Sequence, residues 1–527
     1  MRNIAVVDAE TDPFEYGADI KPFLWGFYDG KNYFQTESTQ EIVNRITEFK
    51  GTVYAHNGGK FDYFFMLPFI EKNQTVKVIN GRLSEFTIGK ATMRDSLNIL
   101  PAGLAKFKKD DFEYWKMKKD QRRHYWQEIE TYLKSDCVNL YEVVSRFISD
   151  YSYSLTLAGA AMKEWKKLGN KVHATSEEFY NTYSPYYFGG RVECFESGVF
   201  EEDFRIIDIN SAYPSLMTQD HPTGTKIIES RRVIESELYK SFVTVECDSY
   251  GALPYRVTSG KKRGTVEFPH RRDVYHCTGR ELQVAIETDT IKNINIKKVI
   301  TFQETVNFTQ YVERFFAIKL ACEKAGDDIG RTMAKFFLNA LYGKFCANPN
   351  KYSNFYIGEW GDEPPEGYGT GPLIENVQFF SKALEDFEKT WYNVATGASI
   401  TGGVRAFLWQ SIQRVERPMY CDTDSIICQG TGDLTLSDKI GDWSNEGCKD
   451  GANKLAIAGK KLYCAWMKDG SKKLATKGVK LNSEELEKVA RGEIITYYSN
   501  SPTYSLSKGV YYTKRNVKPT FKGAENV

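Results

Sequence analysis

Short apolar runs separated by polar turns dominate the first 150 residues. Asn3-Ile4-Ala5-Val6-Val7, Phe23-Leu24-Trp25-Gly26-Phe27-Tyr28 and Thr52-Val53-Tyr54-Ala55-His56 read as strands, and residues 124–148 read as one long helix. Strand patterns alternating with helical ones predict an α/β layered domain. Residues 151–200 form a mixed connector that ends in Tyr187-Phe188-Gly189-Gly190, and the strand Phe204-Arg205-Ile206-Ile207-Asp208 then runs into an acid. Residues 310–346 carry two helical patterns broken near Gly326-Asp327-Asp328. Residues 347–378, rich in Gly, Pro, Asn and Glu, read as a loop-like insertion around Pro364-Pro365-Glu366-Gly367. Pro418-Met419-Tyr420-Cys421 and Ile426-Ile427-Cys428 form the arms of a hairpin tipped by Asp422-Thr423-Asp424-Ser425. A Lys-rich portion with Tyr- and Ser-containing strands closes the chain.

Composition narrows this picture only a little. The 527 residues suffice for several domains, 41% are hydrophobic and 26% charged, and the net charge is +1. A polyanion would therefore meet local basic patches, such as the eight Lys and Arg between Lys106 and Arg123 or the basic excess from Lys460 to Lys522. Either run alone is also compatible with an ordinary solvated face. The ten cysteines contain no Cys-x-x-Cys pair, which argues against a zinc site and for free, mostly buried thiols in a reducing compartment. Met1-Arg2-Asn3 leads straight into a strand rather than a signal peptide, and no apolar run reaches a membrane-spanning length. A soluble cytosolic protein with no membrane partner is expected.

The hairpin tip is the most informative chemistry. Two carboxylates two residues apart, between buried arms, call for a counterion, and Mg²⁺ shared with substrate phosphates is the usual one in nucleotidyl transfer. An Asx-rich turn without a cation is the plainer alternative. Asp208-Ile209-Asn210-Ser211-Ala212-Tyr213-Pro214-Ser215 adds an acid at a strand end, then a turn and helix start whose N–H groups suit a triphosphate. Tyr213 would present its ring beside the sugar and exclude a 2′-hydroxyl. Arg331, Lys335 and Asn339 share one helical face, with Tyr342 close to it, and Lys319 lies on the preceding helix. The cations would neutralise phosphates, and Tyr342 would stack on the nascent base pair.

A second set of acids lies near the N-terminus. Asp8-Ala9-Glu10 sits just past the first strand, and the spacing of two puts both carboxylates on one side. His56-Asn57-Gly58-Gly59-Lys60-Phe61-Asp62 follows another strand, and Tyr132 and Asp136 are four apart on the long helix. Asp8, Glu10, Asp62 and Asp136 could converge on two metals, with Tyr132 orienting a water.

The stretches around Asp208, Lys335 and Asp424 resemble motifs A, B and C of the family B DNA polymerases, DxxSLYPS, KxxxNSxYG and YxDTDS. Ala212 stands where the family has Leu and Ala340 where it has Ser. The N-terminal acids resemble the Exo I, II and III motifs of DnaQ-like 3′→5′ exonucleases. Tyr187-Phe188-Gly189-Gly190 resembles the Tyr-x-Gly-Gly linker of the protein-primed subgroup, and the long intervals between motifs A, B and C resemble its two insertions, TPR1 and TPR2. The chain is thus similar to protein-primed family B polymerases of organellar, viral and phage type.

The resemblance implies an α+β multidomain chain. It would comprise an RNase H-like (DnaQ-type) exonuclease, 1–150; linker and first palm part, 151–221; a TPR1-like insertion, 222–308; fingers, 309–346; a TPR2-like insertion, 347–390; second palm part, 391–475; and thumb, 476–527. It implies Mg²⁺ or Mn²⁺, two per centre, at Asp208, Ile209 and Asp424 for synthesis and at Asp8, Glu10, Asp62 and Asp136 for proofreading. Asp422 would be a supporting or outer ligand, and Lys109 an auxiliary exonuclease lysine. Lys319, Arg331, Lys335, Asn339, Tyr213 and Tyr342 would bind the nucleotide. Tyr187, Gly189, Gly190, Asn57, Phe61, Ser96, Leu97, Lys461 and Tyr463 would contact DNA, the glycines by letting backbone approach the strand, and Lys461-Leu462-Tyr463, which resembles the family's Lys-x-Tyr element, at the primer terminus. Core packing fits Phe61 and Leu97 equally well. Expected partners are primer–template DNA, dNTPs, a terminal priming protein and a single-stranded DNA-binding protein, with processive, strand-displacing synthesis. A nucleic-acid-primed relative, a reverse transcriptase and an inactive polymerase-derived DNA-binding protein remain competing readings.

Overall fold

The structure is a computed structural model that describes residues 3–506 and 508–520. The last seven residues of the expected thumb lie outside the described residues.

The N-terminal strand Ile4–Thr11 pairs parallel to Gly51–Ala55 and antiparallel to Pro22–Tyr28. Asp8 and Glu10 therefore sit inside this strand, not just past it. Alternation still sends both to one face, while Val6 and Val7 are buried on opposite ones. Helix Thr39–Glu48 covers one face of the sheet with Ile42, Val43 and Ile46, and Ser38 caps it by accepting the Glu41 N–H. The long helix Trp126–Asp150 covers the other face with Ile129, Leu133, Leu140, Val143 and Val144. That packing carries Tyr132 and Asp136, one helical turn apart, over the acidic strand.

Residues 347–378 are not a loop. Strands Ser353–Glu359, Gly369–Ile374 and Val377–Ala383 form an antiparallel sheet, and Phe355 pairs with Val76 of the exonuclease-like strand Gln74–Ile79. The result is one ten-stranded sheet spanning both modules. The Pro, Gly and Glu residues that suggested a loop lie in the turn after Glu359. Ile357, Ile374, Val377 and Phe379 are buried in the same core as Val7, Val53 and Phe64.

The central sheet has five strands in the order Trp443–Asn445, Arg205–Ile209, Ser425–Gly430, Glu416–Asp422, Val192–Cys194. Helix Val394–Ile412, buried along almost its whole length, lies against this region. Residues 221–306 contribute a four-stranded antiparallel sheet and helix Gly279–Glu287, whose start carries a Thr278–Glu281 capping box. Helices Thr309–Lys324 and Asp328–Phe345 break at Gly326, with φ +68°, and Asp327 caps the second by accepting the Gly330 N–H. Arg146 of the long N-terminal helix grips both oxygens of Asp327, so the helix bearing Asp136 also holds the turn of the helix pair. Strands Ala452–Gly459, Leu462–Met467 and Lys472–Thr476, helix Ser483–Ala490 and two short hairpins complete the described chain.

Candidate active sites

The first site forms where two antiparallel strands end together. Asp208 pairs in register with Ser425, and the Ile209 N–H donates to the Asp424 carbonyl at 2.8 Å. Thr423 takes the left-handed conformation that closes the turn, and its N–H is held by the Arg191 carbonyl at 2.6 Å. The pairing brings Asp208 and Asp424 together. Burial first, then Asp424 and Glu446, push the Asp208 carboxyl up to about 7. Burial, then Asp422 and Glu446, push Asp424 to about 6. Lys335 and, for Asp208, Lys473 pull the other way. Two repelling acids at a strand edge, with a cationic helix nearby, suit a hard divalent cation with oxygen ligands.

Tyr213 and Tyr342 stack with ring centres 4.3 Å apart and planes within 2°. Asn339 and Lys335 lie one turn apart, and the Asn339 amide donates to the Lys335 carbonyl at 3.0 Å. Arg331 is turned to Asp328 at 3.2 Å, and the Lys319 ammonium lies over the Phe316 ring. Asp422 points to Lys461, 3.4 Å away. Tyr463 is buried against Tyr420, ring centres 4.9 Å apart. The Tyr187 hydroxyl meets Cys346, burial and then that thiol raising its pKa. A Cβ on Gly189 would meet open space. One on Gly190 would lie 2.8 Å from Thr423, so the absence of a side chain lets the linker fold onto the hairpin turn.

In the second site, carboxylate oxygens of Asp8, Glu10 and Asp136 all lie within 4.8 Å of one another. Burial, then Asp136, push Asp8 to about 7, and burial followed by Asp8 holds Glu10 well above the usual range. Asp62 is also held high by burial and then Asp8, which places it beside the trio though outside the tightest group. Burial raises Asp136 against the pull of Lys109, whose ammonium is 3.4 Å from its Oδ2. Burial opposes charge on Lys109, but Asp136, Tyr114 and Asp8 outweigh it and raise its pKa. The buried Oδ1 of Asp136 has no hydrogen-bond partner, as expected of an oxygen reserved for a cation.

Around this centre, the Asn57 side chain accepts from Arg82 at 2.7 Å. Phe61 contacts Phe14, Phe65 and Tyr504 edge-on. Ser96 is fully buried, its hydroxyl engaged by His56 and the Ala55 carbonyl. Leu97 borders a cavity of about 410 Å³ with Lys60, Arg82 and Asn98.

Several supporting residues escaped the sequence reading. Glu446 faces both Asp208 and Asp424 and pairs with Lys473. Tyr114 shares a 3.0 Å hydrogen bond with Tyr132. Buried Asp95 accepts the N–H groups of Asn57, Gly59 and Leu97, shaping the turn before Asp62. None belongs to a spaced motif. Only the position of Tyr114, five residues after Lys109, offered a signal.

A chain with one acidic centre on an α/β layer and another on an antiparallel hairpin beside a cationic helix has the layout of a nucleotide-polymerising enzyme. Residues 106–428 match the family described as DNA polymerase type B, organellar and viral. The chain is 35% identical over 558 aligned residues to the DNA-directed DNA polymerase of Enterobacteria phage PRD1, covering 98% of each, and 23% identical to the DNA polymerase of Bacillus phage phi29, covering 81% of each. The solved phi29 polymerase complexed with primer–template DNA and incoming nucleotide superposes with a TM-score of 0.76 at 18% identity, over 99% of this chain and 100% of that one. The fold is therefore exonuclease plus palm, fingers and thumb, and the chain belongs to the organellar and viral type B DNA polymerases. Among the described residues no helix is long and apolar enough to cross a membrane.

Proposed function

We propose that this DNA polymerase is a replicative enzyme that extends a primer at Asp208 and Asp424 and trims the same strand 3′→5′ at Asp8, Glu10, Asp62 and Asp136. The observation that carries the reading is the meeting of Asp208 and Asp424 at one strand edge, facing Lys335. Asp208, the Ile209 backbone and Asp424 would hold Mg²⁺ or Mn²⁺ in one centre, and the four N-terminal acids would do so in the other, two ions each. Such ions, when bound, acidify the attacking hydroxyl or water and offset phosphoryl charge.

The chain's own groups do the rest. Lys335, with Lys319 and Arg331, offsets charge on the triphosphate and leaving pyrophosphate. Tyr213, braced flat against Tyr342, closes the space a 2′-hydroxyl would need. In the editing centre Tyr132, tied to Tyr114, orients the attacking water, and Lys109 offsets charge beside Asp136. Asn57, Phe61 and Leu97 line the approach of a single strand. The segments 222–308 and 347–390 are proposed as the insertions that support priming by a terminal protein and processive strand displacement. A single-stranded DNA-binding protein and the host cytosol complete the setting.

What supports protein priming is the similarity to the PRD1 and phi29 enzymes along nearly the whole chain. The test is incubation with candidate terminal proteins from the same replicon, template, Mg²⁺ and labelled dNTP. A template-dependent, covalently labelled protein is the expected product. Labelling that never exceeds background while primed DNA is extended would assign the chain to nucleic-acid priming.

A further inference from the structure

Two tight turns meet beside the synthetic centre, and one buried hydroxyl joins them. The first is the Asp422–Ser425 turn, with Thr423 at φ +63°. The second links strands Ala452–Gly459 and Leu462–Met467, with Lys461 at φ +57°. A tight hairpin turn favours that conformation, and the fully buried Tyr420 ties it in place: its hydroxyl accepts the Lys461 N–H at 3.0 Å and donates to Asp422 Oδ2 at 3.3 Å. The other oxygen of Asp422 accepts from the Thr423 hydroxyl at 3.0 Å and lies 3.4 Å from the Lys461 ammonium.

A half-exposed ion pair of that length holds little by itself. The backbone bond from the tyrosine sets the turn, and the carboxylate only aims the ammonium. The neighbouring Lys460 lines an open groove of about 510 Å³, bordered also by Lys262, His270, Lys477 and the acids Glu193 and Glu267. Its lysines outnumber its acids, so the turn borders a groove that can meet phosphates at Lys460 and Lys477. Tyr420 also packs its ring on Tyr463, so the whole Lys-x-Tyr element rests on it.

We propose that Tyr420 and Asp422 are positioning residues for Lys461, so that the terminal phosphates of the primer strand meet a lysine already in place. Asp422 then belongs to the primer grip rather than to the cation pair Asp208–Asp424. This rests on the reading of Lys461 as a primer contact.

Tyr420→Phe removes one hydroxyl and keeps the ring, and Asp422→Asn removes the charge and keeps the shape. Primer–template binding is measured in EDTA, so that no cation at the acids contributes, for both variants, for Lys461→Ala and for each double variant. Tyr420→Phe and Asp422→Asn should each weaken binding about three- to tenfold, the size of one hydrogen bond. Neither should weaken it further in the Lys461→Ala background. Losses that add in full to that of Lys461→Ala would overturn the inference. So would unchanged binding, or tighter binding as expected if Asp422 merely repelled the strand. If Lys461→Ala alone left binding intact, the fault would lie in the primer-contact reading of that lysine.

Discussion

The Ile209 N–H and the Asp424 carbonyl, 2.8 Å apart, bind the end of one strand to the turn of a hairpin more than 200 residues later in the chain. Asp208 and Asp424 meet because this bond and the Asp208–Ser425 register leave them no other place. Their mutual repulsion follows, and so does their need for a cation.

That repulsion has a measurable pH signature. Asp8 and Asp208 titrate near 7 and Asp424 near 6, above an ordinary carboxylate. Between about pH 4 and these values the folded protein keeps protons that the unfolded chain has released. The contribution of these groups to stability is thus present below the unfolded pKa and is lost as pH rises through 6 and 7. A divalent cation must displace the same protons. The rise in Tm on adding Mg²⁺ should be larger at about pH 8 than at about pH 5.5. Scanning calorimetry checks this, and an equal rise at both would contradict it.

Arg405 joins three parts of the chain from inside. Its Nε donates to Glu281 at 2.7 Å, and another guanidinium nitrogen donates to the carbonyls of Phe188 and Gly189 at 2.5 and 2.8 Å. Arg405→Leu would strand a buried carboxylate and two carbonyls. It should cost about 3–5 kcal/mol, read as a lower urea midpoint. A shift below about 1 kcal/mol would show that the pair is dispensable.

Residues 353–383 cannot be removed whole without harm to the N-terminal domain, because their strands share its sheet and core. The informative deletion is the turn, residues 360–368, replaced by a two-residue hairpin turn. Products on a duplex template should shorten while single-nucleotide addition persists. Unchanged product length would sever this segment from strand displacement.

Much of this was legible in the sequence, for local reasons. Period-two alternation placed Asp8 and Glu10 on one face, period-four spacing placed Tyr132 with Asp136, and a polar tip between apolar arms marked Asp424. What escaped notice is non-local. The pairing of Phe355 with Val76 is a meeting of sheet edges that no local pattern announces, and turn residues disguised the strands beside them. Glu446 follows a strand of only three residues, and the Arg405–Glu281 pair spans 124 positions. The closeness of Gly190 to Thr423 likewise exists only once the linker is folded onto the hairpin.

The central claim is that one chain carries two independent cation-holding acid clusters, one that lengthens DNA and one that shortens it. The direct measurement follows one 5′-labelled primer–template with Mg²⁺ and dNTPs, then without dNTPs, for Asp424→Ala and Asp8→Ala. Asp424→Ala should shorten the primer and never extend it, and Asp8→Ala should extend it and fail to shorten it, each loss at least about a hundredfold. Extension by Asp424→Ala at the wild-type rate, or loss of both activities in either folded variant, would contradict the account.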